Sequence, residues 1–128
     1  MTSAAEPTGV ITYATPGDLR RVRALVRDCA TALGLPATRV ELLALAVTEL
    51  ATNTLQHTTG GGRISLWRDG GRLFCDVVDA GPVRVFGRRM PAADAVSGRG
   101  LAIVERVCDE VTTSTGPDGT LVRLRMDL

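Results

Sequence analysis

Apolar residues along the chain recur with two different periods. A 3.6-residue period predicts helices over 19–33, over 41–58 and from 101 to about 108. Alternation of apolar and polar residues predicts half-buried strands at 10–14, 63–68, 72–78, 111–115 and 120–126. Glycine-containing turns at 69–71 and 116–119 join successive strands, which is typical of antiparallel hairpins.

The order of these elements predicts the fold class. Hairpin-joined strands are antiparallel, and the helices before and between them can cover one face of the sheet. We therefore expect an α/β (α+β) protein, a two-layer sandwich whose mixed, mostly antiparallel sheet is covered on one face by helices. The 128 residues fit one domain at 10–128, preceded by a small, polar and flexible tail at 1–9.

The helix at 41–58 carries three polar side chains, each four residues after the last. Glu49, Asn53 and His57 are offset by only ~40° per step, so they form one stripe. The rest of the helix is apolar, so we expect it to be largely buried. Thr38 and Glu41 have the spacing of a capping box that would start the helix just after Thr38. The stripe is either a rim facing water or part of a site, because buried carboxylates and carboxamides need partners.

Composition excludes several classes of function. All fifteen basic residues are arginine, so the chain has no lysine for a P-loop, for a eukaryotic-type protein kinase or for Schiff-base chemistry. A net charge of +1 and only four aromatic residues argue against a direct nucleic-acid partner. No stretch approaches the ~18 apolar residues of a membrane span, and no membrane association is expected.

The three cysteines, Cys29, Cys75 and Cys108, are far apart and odd in number. Their spacing does not fit a metal site, and the chain has only one histidine to complete one. We therefore expect buried, reduced thiols in a cytoplasmic protein.

Four short motifs follow one another along the chain, and each alone is common in proteins. The glycine pair at 98–100 lacks the third glycine and the preceding strand of a dinucleotide-binding motif. The order of the four is the informative feature. They are Glu49-x-x-x-Asn53 on the central helix, Asp79-x-Gly81 at a strand end, Gly98-Arg99-Gly100-Leu101 at a helix start and Gly119-Thr120 at the start of the last strand.

This order resembles the nucleotide-binding fold shared by histidine kinases, type II topoisomerases, Hsp90 chaperones and MutL proteins, the Bergerat-type ATP-binding fold. In that family an N box on a helix precedes a first glycine box, a mobile lid and a second glycine box. The resemblance covers roughly 38–124. Within the family, ELATNTLQH at 49–57 and GRGLAIV at 98–104 look closest to the small bacterial anti-sigma-factor serine kinases.

The resemblance implies a role for each motif. Asn53 would ligate Mg²⁺ through its amide oxygen, and Glu49 would accept the proton of an attacking hydroxyl. Asp79 looks like the family's reader of the adenine amine, and Gly81 would let backbone approach the base. Thr120 resembles the family's hydroxyl near the adenine.

The second glycine box would bind phosphate through backbone N–H groups at a helix N-terminus. Its residues in this sequence are Gly98, Arg99, Gly100 and Leu101. His57 resembles the basic end of the N box, and metal binding by it is not expected.

The lid between the two glycine boxes differs from the family pattern. Pro82-Val83 stands where the first glycine box normally ends in a second glycine, which would alter nucleotide affinity or lid closure. Arg84, Arg88 and Arg89 would either meet phosphate or remain solvated.

The leading hypothesis is an ATP-binding, Mg²⁺-dependent serine/threonine kinase of the anti-sigma type. It would phosphorylate a small antagonist protein and regulate a sigma factor by partner switching, and the resemblance implies a homodimer. The alternative is a non-catalytic nucleotide-binding module that acts only through protein–protein binding. A structural α/β domain without nucleotide is the third interpretation.

Overall fold

The computed structural model describes residues 8–57, 60–79, 102–116 and 119–128. Its elements follow the predicted order, and most strand bounds lie one residue outside the predicted ones. They are β1 (Gly9–Tyr13), a 3₁₀ turn (Pro16–Asp18), α1 (Leu19–Ala32), α2 (Ala37–His57), β2 (Gly62–Asp69), β3 (Arg72–Asp79), α3 (helical at 102–107), β4 (Glu110–Gly116) and β5 (Gly119–Asp127). Residues 1–7 lie outside the described chain, so a flexible tail stays a prediction there, whereas Gly9, which was assigned to the tail, begins β1.

The described strands form one five-stranded sheet in the order β1-β2-β3-β5-β4. All four pairings between these strands are antiparallel. The β2–β3 turn uses Gly70 with φ +63°, a conformation that favours glycine, and Asp69 pairs with Arg72 across it. The expected α+β fold with a mostly antiparallel sheet is therefore confirmed.

One face of the sheet forms the core with the helices. The alternating residues of the strands point there and are buried, for example Ile64 and Leu66 on β2, and Leu124 and Met126 on β5. The opposite face carries the stacked rings of Trp67 and Phe74, with centroids 5.4 Å apart, and the Arg123 guanidinium 5.1 Å from the Trp67 ring. Arg123 also donates two hydrogen bonds to Asp76.

Two expectations about α2 are corrected. It is buried on one face only, because Leu42 and Leu45 are 42% and 46% exposed. It begins at Ala37, where the Pro36 carbonyl accepts a 2.9 Å bond from the Val40 amide. Thr38 therefore lies inside the helix rather than at its N-cap, so the predicted capping box is wrong.

The Glu41 carboxylate has a different partner from the one a capping box would give it. It accepts a hydrogen bond from the Arg27 guanidinium of α1, at 3.1 Å from Nε. This pair is exposed and links the two helices.

Two polar clusters fix the helices to the sheet. Asp18 accepts hydrogen bonds from the amides of Ala14 and Thr15, which closes the corner between β1 and α1. Arg39 on α2 donates to the Asp109 carboxylate and to the Asp127 carbonyl, each at 3.1 Å. This second cluster ties the start of α2 to the end of β5.

The three cysteines are free and buried, as expected. Burial raises the pKa of the Cys75 thiol well above its usual range, and that of Cys108 to about 12. Among the described helices, none has the length and apolar character needed to cross a membrane.

Candidate functional site

The candidate site lies at one end of the helix-covered sheet face. There, Tyr13, Gly62 and Asp79 lie side by side on three neighbouring strands and form a row across the sheet. Tyr13 on β1 pairs with Gly62 on β2, and Gly62 pairs with Asp79 on β3. Residues opposite one another in neighbouring strands point to the same face. Val78 pairs with Leu121, so the same register continued by one residue places Asp79 opposite Thr120. The row therefore brings together two residues that the sequence analysis assigned to the adenine, Asp79 and Thr120.

The glycine at the centre of this row makes room for a buried aromatic ring. A Cβ at Gly62 would lie 2.5 Å from the Tyr13 hydroxyl oxygen and 2.8 Å from Tyr13 Cζ, and would also collide with the Val78 carbonyl. Gly61 has φ +68°, and a Cβ there would collide with the Tyr13 carbonyl. The Tyr13 ring thus lies across Gly62 and points along the row toward Asp79.

The Tyr13 hydroxyl is a buried polar group at the end of the sheet. Burial is the main cause that raises its pKa to about 12, and the Asp79 charge adds to the rise. The Thr54 hydroxyl of α2 approaches it and partly offsets this rise. That contact lacks hydrogen-bond geometry, and the Tyr13 hydroxyl has no hydrogen-bond partner among the described residues. At neutral pH the phenol therefore keeps its proton as a donor.

The N-box candidates lie on the part of α2 that reaches this row. Thr54 lies near Tyr13, and Asn53 directly precedes it on the helix. Glu49 lies one turn before Asn53, and both side chains are half-buried. Neither makes a hydrogen bond or ion pair with another described residue. Both are therefore available to a ligand.

Other predicted site residues fall outside the described chain. These are Gly81, Pro82, Val83, Arg84, Arg88, Arg89, Gly98, Arg99, Gly100 and Leu101. His57 is the last residue of α2, and its side chain is also outside the description. The phosphate-binding and lid roles of these residues stay predictions.

The groups present fit a magnesium nucleotide. Asp79 offers a carboxylate to an amine, and the half-buried Asn53 amide makes no hydrogen bond with another described side chain. The described residues contain no group of three or more His, Cys, Asp or Glu side chains that could hold a metal ion. Mg²⁺ bound to phosphates needs only one or two protein oxygens, and the Asn53 amide could supply one.

Sequence analysis missed Tyr13, Gly62 and Thr54. The signal available for them was the run of three glycines at 60–62. Glycine at the start of a strand also marks a close approach by another group. Here that group is the chain's single tyrosine.

Comparison with known proteins gives one family match. A model of histidine kinase-like ATPase domains matches residues 12–126. The search of curated proteins finds no match.

Two solved structures are similar in fold. The RsbU and RsbW domains of Rv1364c from Mycobacterium tuberculosis give a TM-score of 0.70 at 23% identity, over 95% of this chain and 33% of that chain. The Acinetobacter baumannii histidine kinase AdeS gives 0.53 at 11% identity, over 93% of this chain and 67% of that chain. This chain thus spans a third of the Rv1364c chain, and at these identities the likeness concerns the fold alone.

Proposed function

Because the chain belongs to the family of histidine kinase-like ATPase domains, we propose that it binds Mg-ATP in the last row of its sheet. It then transfers the γ-phosphoryl group to a serine or threonine of a small antagonist protein. The observation that carries this proposal is the β3–β5 register, which pairs Val78 with Leu121 and, continued by one residue, brings Asp79 opposite Thr120 on the helix-covered face. Two hydrogen-bonding groups at one end of a buried row suit the polar edge of a purine.

Each described residue has a chemical role in this proposal. The Asp79 carboxylate accepts a hydrogen bond from the adenine amine, with the Thr120 hydroxyl beside it. The Asn53 amide oxygen holds Mg²⁺, which neutralises phosphate charge when bound. Glu49, one turn earlier on α2, takes the proton of the attacking hydroxyl. The second glycine box, Gly98 to Leu101, together with Gly81, completes the nucleotide site.

The partners follow from the kinase subfamily that the N box and second glycine box resemble. The protein would bind a sigma factor and release it in exchange for the antagonist, in the cytoplasm and as a homodimer. Similarity to the RsbU and RsbW domains of Rv1364c supports the fold that this proposal assumes. Direct contact with nucleic acid is no part of the proposal.

A non-catalytic binding module is the second candidate. Pro82-Val83 in place of the usual glycine favours it, because proline removes a backbone donor beside the lid. Under this alternative Asn53 and Asp79 still bind nucleotide, whereas Glu49 has no proton to accept.

Calorimetric titration with Mg-ATP tests the nucleotide claim. Asp79→Asn should weaken binding by about 10- to 100-fold, because a hydrogen bond to a charged group is lost. Asp69→Asn is the matched control, since Asp69 is an exposed aspartate in the turn at the opposite end of the sheet. It should bind like the wild type. No heat with the wild type would remove the nucleotide claim.

Transfer of labelled γ-phosphate to candidate antagonist proteins separates the two functions. Glu49→Gln should slow transfer by at least about 100-fold while leaving Mg-ATP affinity nearly unchanged. Glu41→Gln, on the same helix but in an exposed pair with Arg27, should have no effect. If the wild type binds Mg-ATP without transferring phosphate, the binding module is the correct interpretation.

A further inference from the structure

The Tyr13 hydroxyl is a polar group that the proposed function leaves without a role. Tyr13 is only 2% exposed, and its hydroxyl has no hydrogen-bond partner among the described residues. A buried hydroxyl without a partner is destabilising, and phenylalanine would fill the same space without that cost. Such a group points to a partner other than the backbone and side chains of the described residues.

The surroundings of the hydroxyl indicate what this partner is. Tyr13 and Asp79 flank Gly62 in one row of the sheet, two strand spacings apart, which is ~9.6 Å between backbones. The Tyr13 ring extends over Gly62, so its hydroxyl lies about halfway along the row, on the side of Asp79. The Thr54 hydroxyl approaches from α2. A donor, a carboxylate and a second hydroxyl thus lie around the same end of the sheet, and a buried water needs two to four such partners.

We propose that Tyr13 is a positioning residue for Asp79 and acts through one water shared by the Tyr13 hydroxyl, the Thr54 hydroxyl and the Asp79 carboxylate. The water fixes the orientation of the carboxylate, so that its other oxygen faces the exocyclic amine of the base. Tyr13 itself does not touch the nucleotide. This inference rests on the proposed role of Asp79 in reading adenine.

The proposal sets Tyr13 apart from a residue that only fills space. Removing its hydroxyl should change the stability of the ligand-free protein little, because the bond to the water is lost together with the cost of burying the hydroxyl. The same change should weaken binding only of ligands that use the oriented carboxylate. ATP presents an amine to it, whereas purine riboside triphosphate has hydrogen at that position.

The experiment compares the affinities of Mg-ATP and Mg-purine riboside triphosphate for the full chain by calorimetry. Tyr13→Phe should weaken ATP binding by about 3- to 10-fold, the usual effect of one neutral hydrogen bond. It should leave the affinity for purine riboside triphosphate within about twofold of the wild type. Thr54→Val removes another partner of the water. It should also weaken the binding of ATP more than that of purine riboside triphosphate. Thermal denaturation of Tyr13→Phe should show a Tm close to that of the wild type.

A matched control and clear contrary outcomes complete the test. Thr12→Val also removes a hydroxyl from β1, but Thr12 is exposed on the opposite face, so both affinities should stay unchanged. If Tyr13→Phe weakens both ligands equally, or neither, the positioning role is wrong while the proposed function stands. If the wild type shows no preference for ATP and Asp79→Asn changes nothing, the reading of adenine by Asp79 fails, and this inference fails with it.

Discussion

Replacing Gly62 with alanine is a direct probe of the row that contains Tyr13 and Asp79. The added Cβ would meet two Tyr13 atoms at 2.5 and 2.8 Å and would also collide with the Val78 carbonyl. Tyr13 is 2% exposed, so its ring cannot swing into solvent, and Val78 is held in the β2–β3 ladder. Neither neighbour can move away without disturbing the sheet.

Two effects of opposite sign decide the outcome. Alanine reduces the entropy of the unfolded chain and alone would stabilise the protein by ~0.4–1 kcal/mol. Overpacking costs ~1–3 kcal/mol, and three contacts below 3 Å put this site at the upper end of that range. We expect a net loss of about 2 kcal/mol in the free energy of unfolding. For a domain of this size, that lowers Tm by roughly 8 °C.

Urea unfolding and thermal denaturation measure this effect. Gly71→Ala is the control, because a Cβ there has no neighbour within 4 Å and φ is not in the left-handed region. It should be neutral or slightly stabilising. The double variant Tyr13→Phe/Gly62→Ala should recover part of the loss, since the closest side-chain atom is gone. A Gly62→Ala protein as stable as Gly71→Ala would refute the packing of Tyr13 across Gly62.

Three further predictions concern stability and thiol reactivity. Hydrogen bonds from two backbone amides lower the pKa of Asp18 to about 2. The stability that the ionised carboxylate adds to the folded protein is therefore complete above pH ~4 and is lost as the pH falls through 2. In that window the urea midpoint should fall less for Asp18→Asn than for the wild type, and equal pH profiles would contradict this. Arg39→Ala should cost ~1–2 kcal/mol in urea unfolding, because its hydrogen bonds join α2 to β5, whereas Arg27→Ala, from an exposed pair, should cost at most ~0.5 kcal/mol. Cys75 should not react with Ellman's reagent until the protein unfolds, and labelling of that thiol in native buffer would contradict its burial.

Most of the fold could be predicted because its signals are local. Alternation along 63–68 and 72–78 and the glycine turn between them define the β2–β3 hairpin without reference to the rest of the chain. The start of α2 was harder, because two signals competed within three residues. Pro36 supplied the first helical acceptor, and the Thr38–Glu41 spacing was misleading.

The site was predictable only in part, because part of it depends on pairing between distant strands. Asp79 and Thr120 were found from motif order, and the register of β3 with β5 then places them side by side. Tyr13 could not be found in this way. Its role depends on β1 pairing with β2, more than 45 residues later, and on Gly62 lacking a side chain. No local pattern encodes that pairing.

The central claim is that nucleotide binds at the end of the sheet formed by the Tyr13–Gly62–Asp79 row. Mapping of backbone amide chemical shifts during titration with Mg-ATP tests it most directly. We predict that the largest shifts among the described residues fall on this row, on Thr120 and around Asn53 on α2. The β2–β3 turn at Asp69–Gly71, at the opposite end of the sheet, should be unaffected. Saturable shifts confined to that turn or to the open face around Trp67 would contradict the account.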